Sequence, residues 1–312
     1  MTDQPAHQAP PIEPGDLPAP QPADQLSPTA AARTTLPGTH GPLAALIATA
    51  DRAAGTVLLL PGYTGSKEDF APILDPLAAG GLTAVTVDLP GQHESEGPDE
   101  EAAYTPARLG EEGAALVERL RADGPVVLLG HSFGGLVARG AVLAGAQIAG
   151  LVLLCSGPSA FRFGERYDAL IAGEPLMREH GHEVAYDLAA AEGQAARKSP
   201  TPEMAEFLRL RFVSSRAAGL LGMGAALRTE PDRVGELAAS LRGSGTPVAV
   251  IAGENDDAWP VPDQRDMAAR LGTELVIIPH AAHSPAVENP GALLAVLLPL
   301  LHGWLSATTP TR

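Results

Sequence analysis

The stretch Gly130-His131-Ser132-Phe133-Gly134-Gly135 comes directly after the apolar run "PVVLL" and encloses one hydroxyl in glycines. A serine hydroxyl becomes a nucleophile when an imidazole takes its proton, and the imidazole needs a carboxylate to fix its tautomer and balance its charge. Candidates for both lie further along the chain. The run "PVAVIAG" is followed by Glu254, Asn255, Asp256 and Asp257, and "ELVIIP" is followed by "HAAHSP" with His280 and His283. A serine, an acid and a histidine, in that order and each just after an apolar run, point to acyl transfer through an activated serine. The residues alone leave the choice open among the three acids and between the two histidines. The glycines around Ser132 permit a turn tight enough to lift its hydroxyl clear of the backbone.

Positioning such groups requires strands that end together. The runs at 56–60, 83–88, 125–130, 150–155, 247–253 and 274–279 are Leu-rich or β-branched and bounded by Gly, Pro or Asp. Near-continuous apolar runs fit strands covered on both faces, and helical patterns fall between them at 67–80, 106–122, 133–146, 262–271 and 290–305. This alternation predicts an α/β fold with a doubly wound, mostly parallel sheet. Ligands of such sheets bind beyond the carboxyl ends of the strands, where Ser132, the acidic loop and the two histidines fall. About 90 residues separate Cys155 from Pro247, and the helical patterns there predict an inserted cap. The expected division is a Pro/Ala-rich disordered tail over 1–37, α/β core over 38–156, helical cap over 157–235, and core again over 236–312.

The chain of 312 residues is 45% hydrophobic and 19% charged, enough to bury a large core. Its 21 Lys and Arg against 37 Asp and Glu give a net charge of −16, which disfavours nucleic acid and anionic membrane surfaces as partners. Cys155 has no second cysteine to pair with, and its setting in "LVLLC" predicts a buried side chain. The apolar run "ALLAVLLPLL" falls short of the ~20 residues of a membrane span and reads as a core-facing helix. No basic segment followed by an apolar stretch opens the chain, so the cytoplasm is the expected location. His280 and His283 have the spacing of a metal pair, yet no third ligand is near in sequence, and neither metal nor organic cofactor is expected.

The segments "LLLPGYTGS", "VDLPGQHES", "LLGHSFGG", "VIAGENDDAWP" and "HSPAVENP" resemble, in order, those of the α/β-hydrolase superfamily, from about residue 38 to the C-terminus. The resemblance implies Ser132 as nucleophile, His283 as general base and then acid, and Asp256, three residues after Gly253, as the acid, with Asp257 and Glu254 as rivals. It also implies two backbone donors for the oxyanion: the amide of Phe133, at a helix N-terminus, and that of Tyr63, with Thr64 in reserve. The family commonly has His-Gly where this chain has Pro61-Gly62. The segment "PGYT" is also similar to the oxyanion segment of cutinase-like polyester hydrolases, which lack a cap.

The expected function is a serine hydrolase acting on a carboxylic ester or similar acyl bond of a small molecule, of the carboxylesterase type. The same residues serve thioesterases, lactonases, carbon-carbon bond hydrolases and cofactor-free perhydrolases, and non-catalytic receptors use the same fold. Cap residues Arg162, Arg166, Arg178, His180 and His182 could bind an anionic substrate group or could be solvated. The sequence does not specify an oligomeric state.

Overall fold

The apolar runs become an eight-stranded sheet in the computed structural model of the chain, which describes residues 17–18, 21, 23–191 and 201–308. In chain order the elements are β1 (Ala32–Gly38), β2 (Gly41–Ala48), β3 (Thr56–Leu60), α1 (Ala71–Ala79), β4 (Thr83–Val87), α2 (Pro106–Leu120), β5 (Val126–His131), α3 (Phe133–Leu143) and β6 (Gly150–Leu154). There follow α4 (Glu165–His180), α5 (His182–Ala191), α6 (Pro202–Ser214), α7 (Ala217–Thr229), α8 (Val234–Ser244), β7 (Val248–Gly253), α9 (Val261–Leu271), β8 (Leu275–Ile278), α10 (Pro285–Glu288) and α11 (Pro290–Thr308). The sheet order is β1-β2-β4-β3-β5-β6-β7-β8. From β4 to β8 all pairings are parallel, while β1–β2 and β2–β4 are antiparallel.

The parallel strands are mostly apolar on both faces because the sheet separates two cores, and alternate side chains enter each. Leu58, Leu60, Leu128, Leu151 and Leu153 face the core shared with Leu116 of α2, Leu136 of α3 and Leu237 of α8. Val57, Leu59, Val127, Leu129, Val152 and Leu154 face the other, closed by Ile73 and Leu74 of α1 and by Leu293, Leu297 and Leu301 of α11. The run containing Pro299 is therefore a core helix, and no described helix is long and apolar enough to cross a membrane.

Two features depart from the expected pattern. Ala32–Gly38, read as mostly within a disordered tail, is the edge strand β1, hydrogen-bonded along β2 from Ala32↔Ile47 to Gly38↔Gly41. The tail reading is corrected there and over Asp24–Ala31, where the Thr29 hydroxyl and the Ala30 amide donate to Asp75 at 2.8 Å each. The ordering groups, Asp75 and β2, are remote in sequence, so local composition could not show them. The remainder of that tail, residues 1–16, 19–20 and 22, lies outside the described residues. The second departure is β2 itself, an Ala-rich strand with no strong β-formers except Ile47.

The β6–β7 insertion supplies α4 to α7, which sit over the carboxyl end of the sheet, and α8, which packs back on α3 and α9. The stretch from 202 to 227, helical throughout by pattern, is broken at Ser215-Arg216 into α6 and α7. The earlier helical stretch, 177–198, ends its described part at Ala191; residues 192–200 lie outside the described residues.

Candidate active site

Ser132 stands between β5 and α3 with φ 56° and ψ −121°, a backbone region that side chains rarely occupy, at a cost of about 1–3 kcal/mol. The neighbouring glycines make that turn possible. A Cβ on Gly130 would lie 2.2 Å from the Gly134 carbonyl oxygen, and one on Gly134 would lie 2.3 Å from the Leu60 carbonyl oxygen. Such closeness leaves room for hydrogen alone, so strand, turn and helix pack directly on β3.

The hydroxyl so presented donates to His283 Nε2 at 2.8 Å, and His283 Nδ1 donates to Asp256 Oδ1 at 2.8 Å. One imidazole tautomer, protonated on Nδ1, satisfies both bonds. Ser132 and His283 are each only 6% exposed. Asp256 accepts further bonds from the Ala258 amide at 2.9 Å and from Gln264 Nε2 at 2.8 Å. Gln264, fully buried on α9, also donates to the Trp259 carbonyl at 3.0 Å and so ties the acidic loop to that helix. The helix is set by Pro262 in its first turn and closed by Gly272 at φ 81°. Asp257 instead pairs with Arg166 at 2.7 Å, and Glu254 accepts from the His280 amide at 3.0 Å. Of the three acids in that loop, Asp256 is thus the one bonded to His283.

Electrostatics favour this protonation pattern. Burial holds the His283 ring below its ordinary pKa, helped by the Arg166 charge and opposed by Asp256, so the imidazole is neutral and able to accept a proton near pH 7. Burial would push the Asp256 carboxyl up, but the His283 hydrogen bond and charge and the Ala258 and Gln264 donors outweigh it and keep it ionised. His131, beside the serine, has a separate task. Its Nε2–H donates to the His283 carbonyl at 2.6 Å, and burial, with the neighbouring His283, lowers its pKa to about 4. The adjacency of His131 and Ser132 gave no hint of this bond, nor could the position of Gln264, because both depend on long-range packing.

Gly62 lies against the serine: a Cβ there would be 3.1 Å from Ser132 Cβ and 3.4 Å from its Oγ. Tyr63 follows on this loop, and Phe133 opens α3 from the other side. Neither amide donates to a protein acceptor among the described residues, as expected for Phe133 in a first helical turn. A buried hydroxyl, a neutral imidazole, an ionised carboxylate and two amides without a protein acceptor among the described residues are groups able to form and stabilise a tetrahedral adduct at a carbonyl carbon.

The cap helices α4 and α7 come over Tyr63, whose hydroxyl would be 3.1 Å from a Cβ on Gly224, with Leu170 at 3.5 Å. Trp259 packs against Phe161 with the rings tilted at 49° and their centroids 4.4 Å apart, and lies 6.5 Å from the His283 ring. The cap cations weighed as anion binders have protein partners. Arg162 pairs with Asp263, Arg166 with Asp257, and Arg178 with Glu101 and Glu174; His180 lies beside Glu179, and His182 bonds the Val213 carbonyl. The groups with ligand-type atoms within 4.8 Å are similarly engaged. Both nitrogens of His283 are bonded within the Ser132–Asp256 chain, and the Lys67 ammonium occupies the space among Glu68, Asp88 and Glu94 at 3.1, 2.9 and 2.7 Å.

In sequence and in overall fold the chain has counterparts among known proteins. The chain is 26% identical over 250 residues, 76% of its length and 87% of the relative's, to a candidate 2-succinyl-6-hydroxy-2,4-cyclohexadiene-1-carboxylate synthase of Bacillus subtilis strain 168. In structure it is similar to a thermophilic esterase from Thermogutta terrifontis, with a TM-score of 0.67 and 24% identity over 88% of this chain and 99% of that one. It is also similar to the enol-lactonase of Burkholderia xenovorans LB400, with a TM-score of 0.68 and 18% identity over 86% of this chain and 100% of that one. Residues 57–296, spanning every strand from β3 to β8 together with Ser132, Asp256 and His283, match the profile of the alpha/beta hydrolase family, and the chain belongs to that family.

Proposed function

We propose that the protein is a serine hydrolase that cleaves a carboxylic ester of a small molecule through an acyl-enzyme. The observation that carries this reading is the unbroken chain Ser132 Oγ–His283 Nε2, His283 Nδ1–Asp256 Oδ1, at 2.8 Å for each link. Ser132 Oγ attacks the ester carbonyl carbon as His283 takes the hydroxyl proton, and the amides of Tyr63 and Phe133 hold the resulting oxyanion. Collapse breaks the bond to the alcohol oxygen, which receives the proton from His283. Water, deprotonated by the same imidazole, then attacks the acyl-serine and releases the acid. Asp256 keeps the ring oriented and offsets its transient charge.

A neutral ester is favoured over an anionic substrate by the charge state of the cap. The product named for the Bacillus subtilis relative carries a carboxylate, and recognition of such a group calls for a cation free to face it. Here Arg166, Arg178 and Arg228 are each matched by an acid, while Leu170 lies beside Tyr63 and Trp259, packed on Phe161, stands 6.5 Å from His283 between ring centroids, supplying apolar surface.

A fluorophosphonate probe with mass mapping tests the nucleophile, and a panel of p-nitrophenyl esters of increasing acyl length, with acyl-thioesters alongside, tests the bond. The expected results are an adduct on Ser132, ester turnover exceeding thioester turnover, and loss of both labelling and turnover in Ser132→Ala. Turnover that survives in Ser132→Ala and disappears with EDTA overturns the mechanism. A folded protein that never labels points instead to a binding role.

A further inference from the structure

The second oxyanion donor lies on a loop whose shape is held from outside. Gln92, in the segment after β4, is 2% exposed, and its side-chain amide is fully engaged. Nε2 donates to the Gly62 carbonyl at 2.7 Å and to the Tyr63 carbonyl at 3.0 Å, and Oε1 accepts from the Leu89 amide at 3.0 Å. The Leu89 bond fixes the sense of the amide, since a flip would set Oε1 against two carbonyl oxygens and leave Nε2 facing an N–H.

The two carbonyls that Gln92 holds belong to consecutive peptide units. In a trans peptide the C=O and the following N–H point in opposite directions. Drawing the Gly62 oxygen toward Gln92 therefore turns the Tyr63 N–H away from it, and drawing the Tyr63 oxygen does the same for the Thr64 N–H. Gly62 itself lies against Ser132, a Cβ there being 3.4 Å from Ser132 Oγ. We infer that Gln92 is a positioning residue that aims the Tyr63 amide, with the Thr64 amide behind it, at the oxyanion formed on Ser132. This rests on the serine-hydrolase reading above and deepens it.

The segment carrying Gln92 is itself anchored on both flanks. Asp88 accepts from the Lys67 amide at 2.7 Å and the Lys67 ammonium at 2.9 Å, joining the loop after β3 to the loop after β4. On the other side, the Gly91 carbonyl accepts from the Arg216 amide at 2.8 Å and the His93 amide donates to Ser215 Oγ at 3.0 Å. Gln92 thus stands where the oxyanion loop, the β4 loop and the cap meet, and its amide has no room to drift.

The test compares Gln92→Met, similar in volume but without donors, and Gln92→Glu with the native protein and Ser132→Ala, using p-nitrophenyl butyrate. For Gln92→Met, kcat falls ~10- to 100-fold with KM changed less than about threefold, and 1-butylboronic acid, which forms a tetrahedral adduct on serine, loses affinity by a similar factor. Gln92→Glu can donate to one carbonyl only while its carboxyl is protonated. Its kcat relative to native therefore declines ~10-fold or more between about pH 5.5 and pH 8, a limb that loss of packing does not produce. If Gln92→Met fails to fold, this ratio decides alone. A Gln92→Met kcat within about threefold of native, a loss carried in KM, or a pH-independent Gln92→Glu ratio overturns the inference while leaving an inactive Ser132→Ala, and with it the hydrolase reading, intact. Full activity in Ser132→Ala overturns both.

Discussion

At the scale of single residues, the acidic loop illustrates how neighbours in sequence acquire different work. Asp256 and Asp257 have the same side chain, but the turn after β7 sends one inward to His283, Ala258 and Gln264 and the other outward to Arg166. The three donors on Asp256 stabilise it as a carboxylate despite burial, and amide replacement would remove both the charge and one acceptor. Asp256→Asn is therefore expected to lower kcat for an activated ester by ~1000-fold or more, since the histidine loses the partner that selects its tautomer. Asp257→Asn should stay within about threefold of native, because its contact with Arg166 is exposed and screened. Steady-state kinetics of the two variants side by side check this, and a reversed ranking would reassign the acid. Ser132, a histidine after β8 and an acid near 256 were legible in the sequence because each comes shortly after a strand, so local pattern places it at the sheet edge; the choice of His283 over His280 came from the family resemblance. Gln264 and Gln92 were not, because a glutamine becomes a brace only when a remote carbonyl or carboxylate is brought to it.

Among elements, the cap shows where reading charge from sequence stops. Five cap residues invited an anion-binding interpretation, yet those side chains face protein acids or a backbone carbonyl, and the cap cation with the most buried connection to the core, Arg211, had no distinguishing neighbourhood in sequence. Its guanidinium reaches from α6 to Asp69 at 2.7 Å, and Asp69 in turn accepts from the Ser66 amide at 3.2 Å and from Gln25 at 3.3 Å. The cap, the loop after β3 and the N-terminal segment therefore share one carboxylate. The side chains of Arg211 and Asp69 are 10% and 15% exposed, so solvent screens the pair little. Arg211→Met keeps most of the stem while deleting the bond. It is expected to cost about 1.5–3 kcal/mol and to lower Tm by roughly 3–10 °C. Limited proteolysis should then cleave the cap sooner than in the native protein. An unchanged Tm and cleavage pattern would mean that the contacts of Ser214, Ser215 and Arg216 with the β4 loop suffice to dock the cap.

For the whole molecule, the legible part is the part the two cores enforce. Strands β3 to β8 had to be apolar on both faces, and their runs announced them; β1 is exposed along most of its length and β2 is Ala-rich, so the antiparallel hairpin at the sheet edge left little trace. The same two-sided burial gives the fold an acid sensitivity located at the site. His131 is buried as a neutral ring with its pKa lowered to about 4, whereas the unfolded chain would protonate it near 6.5. The unfolded state thus binds the extra proton first as pH falls, so the stability contributed by the neutral ring is complete above about pH 6.5 and is withdrawn toward pH 4. His131→Gln retains an N–H donor for the His283 carbonyl but cannot titrate. Urea unfolding at about pH 7 and pH 4.5 should therefore show the native protein losing about 2–3 kcal/mol more than His131→Gln over that interval. The carboxylates titrate in both proteins, so the difference between them reports His131 together with its interaction with His283. Equal losses in the two proteins would show that His131 accepts a proton in place, in which case a cation beside Ser132 must be accommodated without unfolding the turn that presents the serine.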